Sequence, residues 1–319
     1  MKSLRKKLRI WALATVPAAG LCAGCGKQTC APIPPHTCLD RITYCTNSVV
    51  SSQQLSATGS LDIDTCKQLC FEGTVYFCES DARSDGNFDL TCFYDNTPGV
   101  GCLGTGRRPR GLVTPRRARA RCEVGALLAR VAHLEAASVP AFARLAEELT
   151  RFGAPKGLVE RAQAARRDEI RHAAQMGRLA RGHGASLAGV RVRQPARRSL
   201  EAFALENAVE GCVHETWGAM VAQVQAIRSP DSGVRSAMRR IATDEARHAE
   251  LAWDVARWVE SRLDPRARSR VRRAQRRAVD ALDASLTSST RAERALGLPD
   301  LPQARALHAK LRAELWSAA

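Results

Sequence analysis

Between Cys122 and Arg262, apolar residues recur at alternating steps of three and four, which is the spacing of one face of an α-helix. The pattern contains four such stripes, and each has a glutamate near its centre. The stripes extend from Leu128 to Leu149, from Leu158 to Leu179, from Leu200 to Val224 and from Met238 to Val259. We therefore expect four amphipathic helices, each with a carboxylate on the face that it buries.

The breaks between the stripes indicate how the helices connect. A short break at residues 152–155 joins the first two stripes, and residues 229–233 join the last two. A longer connection, from about Arg181 to Arg198, separates the two pairs. Short, long and short connections are typical of a four-helix bundle with one crossover.

The two predicted hairpins are similar to each other in sequence. Glu135 precedes Glu169 by 34 residues, and Glu210 precedes Glu245 by 35. A duplicated helical hairpin explains this spacing and makes Glu210 the counterpart of Glu135. We therefore assign residues 122–262 to an all-α domain.

Helical patterning continues in residues 263–319. One helix is predicted between Pro265 and Leu296, and a last amphipathic helix carries Leu307, Leu311 and Leu315. We expect this C-terminal extension either to cover the bundle or to mediate self-association into a homodimer.

Residues 26–105 have a different composition. The segment is polar and rich in turn residues, and it contains all three tyrosines of the chain and eight cysteines. Because it has little apolar material for a core, we expect a small irregular domain held together by disulfides. The candidate cysteines are Cys30, Cys38, Cys45, Cys66, Cys70, Cys78, Cys92 and Cys102. Their spacing does not select one pairing, and a zinc site that includes Cys66 and Cys70 is the alternative.

Residues 1–25 have the organisation of an export signal. A basic stretch precedes the apolar run from Ile10 to Leu21, which is shorter than the ~20 residues of a membrane-spanning helix. The pair Gly24-Cys25 resembles a bacterial lipobox, although Cys22 occupies a position that is usually aliphatic. With either lipidation of Cys25 or ordinary cleavage, we expect a bacterial protein outside the cytoplasm, in the periplasm or anchored to the outer membrane as a lipoprotein.

The formal net charge is +17. Much of it lies in residues 106–121, a predicted basic linker with seven arginines, and in residues 262–277, which have helical spacing. Arginine runs often bind nucleic acid, but export and the lack of interleaved aromatic residues argue against this partner. Contact with an anionic membrane surface beside a lipid anchor fits the charge better.

The most specific polar pattern is a repeated hexapeptide, DEIRHA at residues 168–173 and DEARHA at residues 244–249. Each copy places a glutamate and a histidine three residues apart, on one helix face. A single glutamate or histidine on an apolar stripe is usually structural, but burying four carboxylates without neutralisation is expensive. Two divalent cations would balance this charge, and iron or manganese is favoured because zinc needs fewer ligands. The predicted ligands are Glu135, Glu169, His172, Glu210, Glu245 and His248.

These motifs resemble those of the ferritin-like superfamily, in particular its di-iron oxygenases, bacterioferritins and rubrerythrins, and the resemblance covers about residues 122–262. It implies a ferritin-like four-helix bundle with two iron ions, or iron and manganese, per chain. It also implies that Glu169 and Glu245 bridge the metals, while Glu135 and Glu210 bind terminally.

The resemblance further assigns the aspartate of each hexapeptide. Asp168 is expected to accept a hydrogen bond from the ring of His248, and Asp244 from the ring of His172. Such partners fix the tautomer of a ligand histidine and raise its basicity.

Other polar residues near the predicted centre have two interpretations each. Arg171 and Arg247 either neutralise the two aspartates or form exposed salt bridges. His214, on the third stripe, is either an additional ligand or a core residue close to the ligands. Glu206 and Glu215 replace the third-stripe ligand if the register of that helix differs.

The predicted centre favours an oxidoreductase that reacts with oxygen or peroxide and uses an external small-molecule substrate or electron donor. The helical domain contains no tyrosine, which excludes a tyrosyl radical there, and the chain has no pair of Cys-x-x-Cys motifs for a rubredoxin-like donor. The Cys-rich domain then acts as a spacer or binding module. The alternative is a non-catalytic metal-binding, iron-handling or structural lipoprotein.

Overall fold

The computed structural model describes residues 4–15, 43–50, 74–82, 88–95, 107–113, 119–193 and 197–317. The first helix, α1 (Leu4–Thr15), packs on the helical domain, with Leu8 fully buried and Arg5 paired with Glu250. This helix belongs to the predicted export signal, whose cleavage region around Cys25 lies outside the described residues.

Three strands follow in the cysteine-rich segment: β1 (Thr43–Val50), β2 (Thr74–Ala82) and β3 (Phe88–Asp95). They form an antiparallel sheet in the order β1-β3-β2, in which Cys92 lies opposite both Cys45 and Cys78. The expectation of an irregular segment was wrong for these residues, whose aromatic and β-branched side chains favour strands. The predicted disulfides among the eight cysteines involve side chains outside the described part.

The first helical hairpin consists of α2 (Glu123–Arg151) and α3 (Lys156–Gly182). Cys122, which is disulfide-bonded, caps α2 by accepting a hydrogen bond from the amide of Gly125 at 3.5 Å. The turn between the helices uses Gly153 at a φ of 69°, where a side chain would be strained.

The second hairpin begins with a long helix whose middle is π-helical. Its parts are α4 (Leu200–Glu206), the π-helical segment π1 (Asn207–Glu215) and α5 (Thr216–Arg228), followed by α6 (Ser232–Glu260). Ser199 caps α4 and Asp231 caps α6 through side-chain oxygens that accept backbone N–H groups. The sequence predicted a regular third helix. Because hydrogen bonds in a π-helix span five residues, π1 changes which helix face the residues after it occupy.

The two hairpins pack against each other. Within them, α2 lies along α3 and α5 lies along α6, while α3 and π1 both contact α6. By length and composition α2 is apolar enough to cross a membrane, but 61% of its most apolar stretch is buried inside the protein, as in other core helices.

Two apolar clusters occupy the interior. One contains Phe142, Leu149 and Phe203, and the other contains Leu128 and Met238. Along α2 and α3, the buried glutamates Glu135 and Glu169 lie between these clusters.

The crossover between the hairpins, residues 183–199, is held by the described part of the basic linker. Leu112 bridges to Val192, and Ala120 bridges to Ala185. The linker residue Arg107 enters the protein interior and is only 2% exposed. The described linker residues therefore line the helical domain.

The C-terminal extension folds onto the domain. It contains α7 (Pro265–Ala284), α8 (Arg291–Ala295), α9 (Leu301–Leu311) and the π-helical turn π2 (Arg312–Trp316). Leu307 and Leu311 are fully buried, and the indole N–H of Trp316 donates to the carbonyl of Cys212 at 2.9 Å. The extension covers π1 and α5, which agrees with the first of the two sequence interpretations.

Candidate metal centre

Five side chains from three helices converge between the apolar clusters. Glu135 lies at the middle of α2, Glu169 and His172 lie on α3, and Glu245 and His248 lie on α6. All five are at most 2% exposed. One ligand atom from each of Glu135, Glu169, His172 and Glu245 lies within 4.8 Å of the others, so this group can hold a metal ion.

Both histidines direct the Nδ1 atom toward the glutamates. His172 Nδ1 lies 3.5 Å from Glu135, 3.6 Å from Glu169 and 3.3 Å from Glu245. His248 Nδ1 lies 3.2 Å from Glu169 and 3.6 Å from Glu245. Glu169 and Glu245 are therefore each close to both imidazoles, whereas Glu135 is close to His172.

The inward atoms of this group lack hydrogen bonds. Both carboxylate oxygens of Glu135, Glu169 and Glu245 are buried without a hydrogen-bond partner, as are the Nδ1 atoms of the two histidines. An unpaired buried oxygen or nitrogen costs free energy that a folded protein normally avoids. Carboxylate oxygens and imidazole nitrogens are ligands for divalent transition metals, and the donor set therefore fits a metal centre.

The outward ring nitrogens have partners. His172 Nε2 lies 3.0 Å from Asp244, and His248 Nε2 lies 3.3 Å from Asp168. With Nε2–H donating to these carboxylates, the Nδ1 lone pair of each ring points into the group. These are the cross-helix pairs that the resemblance implies.

Two arginines connect the aspartates at the surface of the centre. Arg247 Nη2 lies 3.0 Å from Asp168 and 2.7 Å from Asp244, and Arg171 pairs with Asp168 and lies 3.7 Å from Asp244. Burial raises the pKa of Asp168, but hydrogen bonds from His248 and Arg247 outweigh it and hold this pKa well below its usual range. Asp168 is therefore an anionic hydrogen-bond acceptor, and the neutralising interpretation of Arg171 and Arg247 fits the geometry.

The ionisable groups of the centre shift each other's pKa strongly. Burial and the negative charge of Glu169 raise the pKa of Glu135 well above its ordinary value. Burial lowers the pKa of His172, but the hydrogen bond with Asp244 and the nearby carboxylate of Glu135 outweigh it and raise this pKa. The carboxylates therefore attract positive charge into the centre, as a metal ion or as protons.

The central part of the third stripe lies in the π-helical segment π1. Glu210 is buried in π1, but among the described residues it does not belong to the compact group. The nearby carboxylate is Glu215, whose Oε1 lies 3.4 Å from Nε of Arg107 and whose Oε2 has no hydrogen-bond partner. Burial raises the pKa of Glu215 to about 7, and the charges of His248, Glu245 and Glu169 also act on it.

The other candidates on this stripe lie in different surroundings. His214 is buried in π1, and the structure does not include it in the compact group of described residues. Glu206 forms a buried ion cluster with Arg198 and Glu148, in which Arg198 Nη2 is 2.6 Å from Glu148.

A surface cavity lies beside the centre, on the side of the Asp244–His172 pair. It has a volume of about 630 Å³, and its lining includes His172 and Asp244 together with Arg171, Arg178 and Arg239. The arginines make its entrance positive.

Sequence reasoning missed two buried arginines, Arg107 and Arg198. Both lie in arginine-rich stretches that were interpreted as a solvated linker and a solvated crossover. The local sequence pattern does not distinguish a buried arginine from its exposed neighbours. Their carboxylate partners, Glu215 and Glu206, were noted only as alternatives to Glu210.

A scan against protein-family models finds no match, and neither a search of curated proteins nor a search of solved structures finds one.

Proposed function

We propose that this chain is an exported ferritin-like protein that holds two metal ions, iron or manganese, and acts as an oxidoreductase on oxygen or peroxide. The observation that carries the proposal is the set of buried ligand atoms without hydrogen bonds on Glu135, Glu169, Glu245, His172 and His248. Eight such atoms face one another in the interior. Apolar side chains at these positions would often be at least as stabilising, so stability alone does not account for the polar group.

The arrangement of helices supports a ferritin-like bundle. Two helical hairpins, α2 with α3 and α5 with α6, meet along α3 and α6, which carry the repeated hexapeptides. The ligand side chains thus come from facing helices in the bundle interior, which is how carboxylate-bridged dimetal sites are built.

The proximity of Glu169 and Glu245 to both imidazoles supports two ions and not one. A carboxylate has two oxygens and can contact one ion on each side, while each histidine supplies one Nδ1 to its own ion. When bound, such ions supply electrons for the reduction of oxygen or peroxide.

The surrounding residues hold and tune the ligands. Asp168 and Asp244 keep the proton on Nε2 of the histidines, and Arg171 and Arg247 form ion pairs with these aspartates. The apolar clusters exclude water from the carboxylates, and the cavity beside His172 admits a small oxidant or an electron donor. We infer that the substrate or donor is external, because the chain lacks a paired Cys-x-x-Cys motif.

Export is part of the proposal. The disulfide at Cys122 is typical of proteins outside the cytoplasm. On cleavage before Cys25, helix α1 is removed, and the packing of Leu8 and Trp11 is that of the precursor. Mass spectrometry of the protein from a bacterial envelope fraction tests this, because a lipoprotein begins at a diacylated Cys25, whereas retention of residues 4–15 contradicts export by this signal.

Metal analysis tests the central claim. We expect about two iron or manganese ions per chain in the purified protein, and loss of both in the Glu169→Ala, Glu245→Ala double variant. Oxygen and peroxide consumption by the loaded protein then separates an oxidoreductase from a non-catalytic metal-binding protein. A folded wild type with no more metal than the double variant contradicts the proposal and leaves a structural role.

A further inference from the structure

The register of π1 determines which carboxylate of the third long helix faces the centre. Asn207 and Cys212 are five residues apart, yet both side chains reach the carbonyl of Ala252 on α6, Asn207 Nδ2 at 2.9 Å and Cys212 Sγ at 3.6 Å. In a π-helix the hydrogen bonds span five residues and not four. The face toward α6 therefore includes both Asn207 and Cys212, which a regular α-helix would place on different faces.

Glu215 occupies the next part of this face. Its side chain is 1% exposed and forms an ion pair with Arg107, which is 2% exposed. One oxygen of Glu215 faces the guanidinium, and the other has no hydrogen bond. The guanidinium of Arg107 lies 5.9 Å from the ring centre of Phe142, and that ring centre lies 4.9 Å from the ring centre of His248, so the ion pair is one side chain away from the metal group.

The side chain of Arg107 is closely surrounded by its neighbours. Its Nη2 donates to Asn207 Oδ1 at 2.6 Å, and its guanidinium lies 5.9 Å from the ring centre of Phe142. A Cβ at Gly211 would lie 2.5 Å from Arg107 Nη2 and 2.7 Å from Ala252 Cβ. Only glycine at position 211 leaves room for the guanidinium next to α6.

We propose that Glu215 is the carboxylate by which the third helix binds a divalent metal ion at this centre, and that Arg107 holds it in place. This inference rests on the proposed dimetal function. Arg107 forms an ion pair with one oxygen of Glu215, and the other oxygen would be available to hold the ion. The segment before the bundle thereby supplies a positioning residue to the metal centre.

The test compares two buried glutamates of the same helix. The full chain is stripped of metal and titrated with Co²⁺, and the stoichiometry and affinity are measured by calorimetry and by the visible absorption of bound Co²⁺. We expect Glu215→Gln to weaken at least one of two sites tenfold or more, and Glu210→Gln to leave both within about twofold of wild type. Equal losses in the two variants, or a larger loss in Glu210→Gln, would overturn the inference.

A second pair of variants controls for folding. Glu215→Asp keeps the charge opposite Arg107 but shortens the carboxylate, so we expect wild-type stability without metal and weakened Co²⁺ binding. In Arg107→Gln, the Tm without metal should fall, and the rise in Tm on adding Co²⁺ should be smaller than that of wild type, because Glu215 is no longer held in place. An unchanged Co²⁺ response in both variants counts against the inference alone, whereas a wild type that binds no Co²⁺ overturns the proposed function as well.

Discussion

His248 on α6 donates its Nε2 proton to Asp168 on α3 at 3.3 Å, and His172 on α3 makes the reciprocal bond to Asp244 on α6 at 3.0 Å. Each hexapeptide therefore supplies a ligand and the aspartate that orients the ligand of the other. The two copies of the motif form one cross-linked unit, and a change in either helix affects both histidines.

This reciprocity predicts the effect of Asp168→Asn or Asp244→Asn. An amide no longer attracts the imidazole proton, so we expect metal affinity to fall by about 10–100-fold in each variant. Competition with a chelator of known affinity measures the change. Asp254→Asn is the control, because Asp254 also lies on α6 but pairs with Arg161 and Arg257, and it should leave metal affinity unchanged.

The crossover is anchored by a buried cation. Arg198 contacts Glu148 on α2 and Glu206 on α4, and its side chain is 5% exposed. Arg198→Met leaves the buried carboxylate of Glu206 without its ion-pair partner and Glu148 with Arg144 alone, which we expect to cost about 3–5 kcal/mol of unfolding free energy. Urea denaturation of the variant and of the wild type measures this loss of unfolding free energy.

Two controls separate this effect from the loss of any salt bridge. Adding Glu148→Gln and Glu206→Gln to Arg198→Met should restore part of the stability, since no buried charge then remains unpaired. Arg161→Met breaks a more exposed pair with Asp254 and should cost no more than about 1 kcal/mol. A loss in Arg198→Met no larger than that in Arg161→Met would show that the buried cluster does not stabilise the fold.

Glu206 also predicts a pH dependence. Burial raises its pKa, but the charge of Arg198 and its hydrogen bond outweigh burial and lower this pKa below the ordinary value. Because the unfolded glutamate, with a pKa of about 4.3, binds its proton first, the stabilisation is present above that pH and is lost as the pH falls through the folded pKa. The stability difference between wild type and Glu206→Gln should therefore shrink on acidification, and a difference that is constant from neutral to acid pH would contradict the shift.

Gly211 should not tolerate a methyl group. Its Cβ would overlap both Arg107 and Ala252, so Gly211→Ala should lower the unfolding free energy by about 1–3 kcal/mol. Thermal unfolding of the metal-free protein measures this. Gly157→Ala is the matched control, since no atom lies within 4 Å of its Cβ position, and it should be neutral or stabilising by up to about 1 kcal/mol.

The sequence was sufficient for everything that depends on spacing within one helix. Glutamate and histidine three residues apart share a face of any regular helix, so Glu169 with His172 and Glu245 with His248 could be assigned before the fold was known. The apolar stripes likewise indicated which face of each helix is buried. The strands of the cysteine-rich segment were missed because cysteine and turn content hid their short β-prone stretches.

Tertiary structure decided which residues complete the centre. The choice between Glu210 and Glu215 depends on π1, and a π-helical segment reflects how Asn207 and Cys212 fit against Ala252 on another helix. The burial of Arg107 and Arg198 also depends on distant carboxylates, Glu215 and Glu206. The sequence by itself thus determined the helix faces and the candidate ligands of α3 and α6, because helical periodicity is local. Only the tertiary structure decided that Glu215 lies beside Arg107 and Glu206 beside Arg198, because a buried ion pair forms between residues that are far apart in the chain.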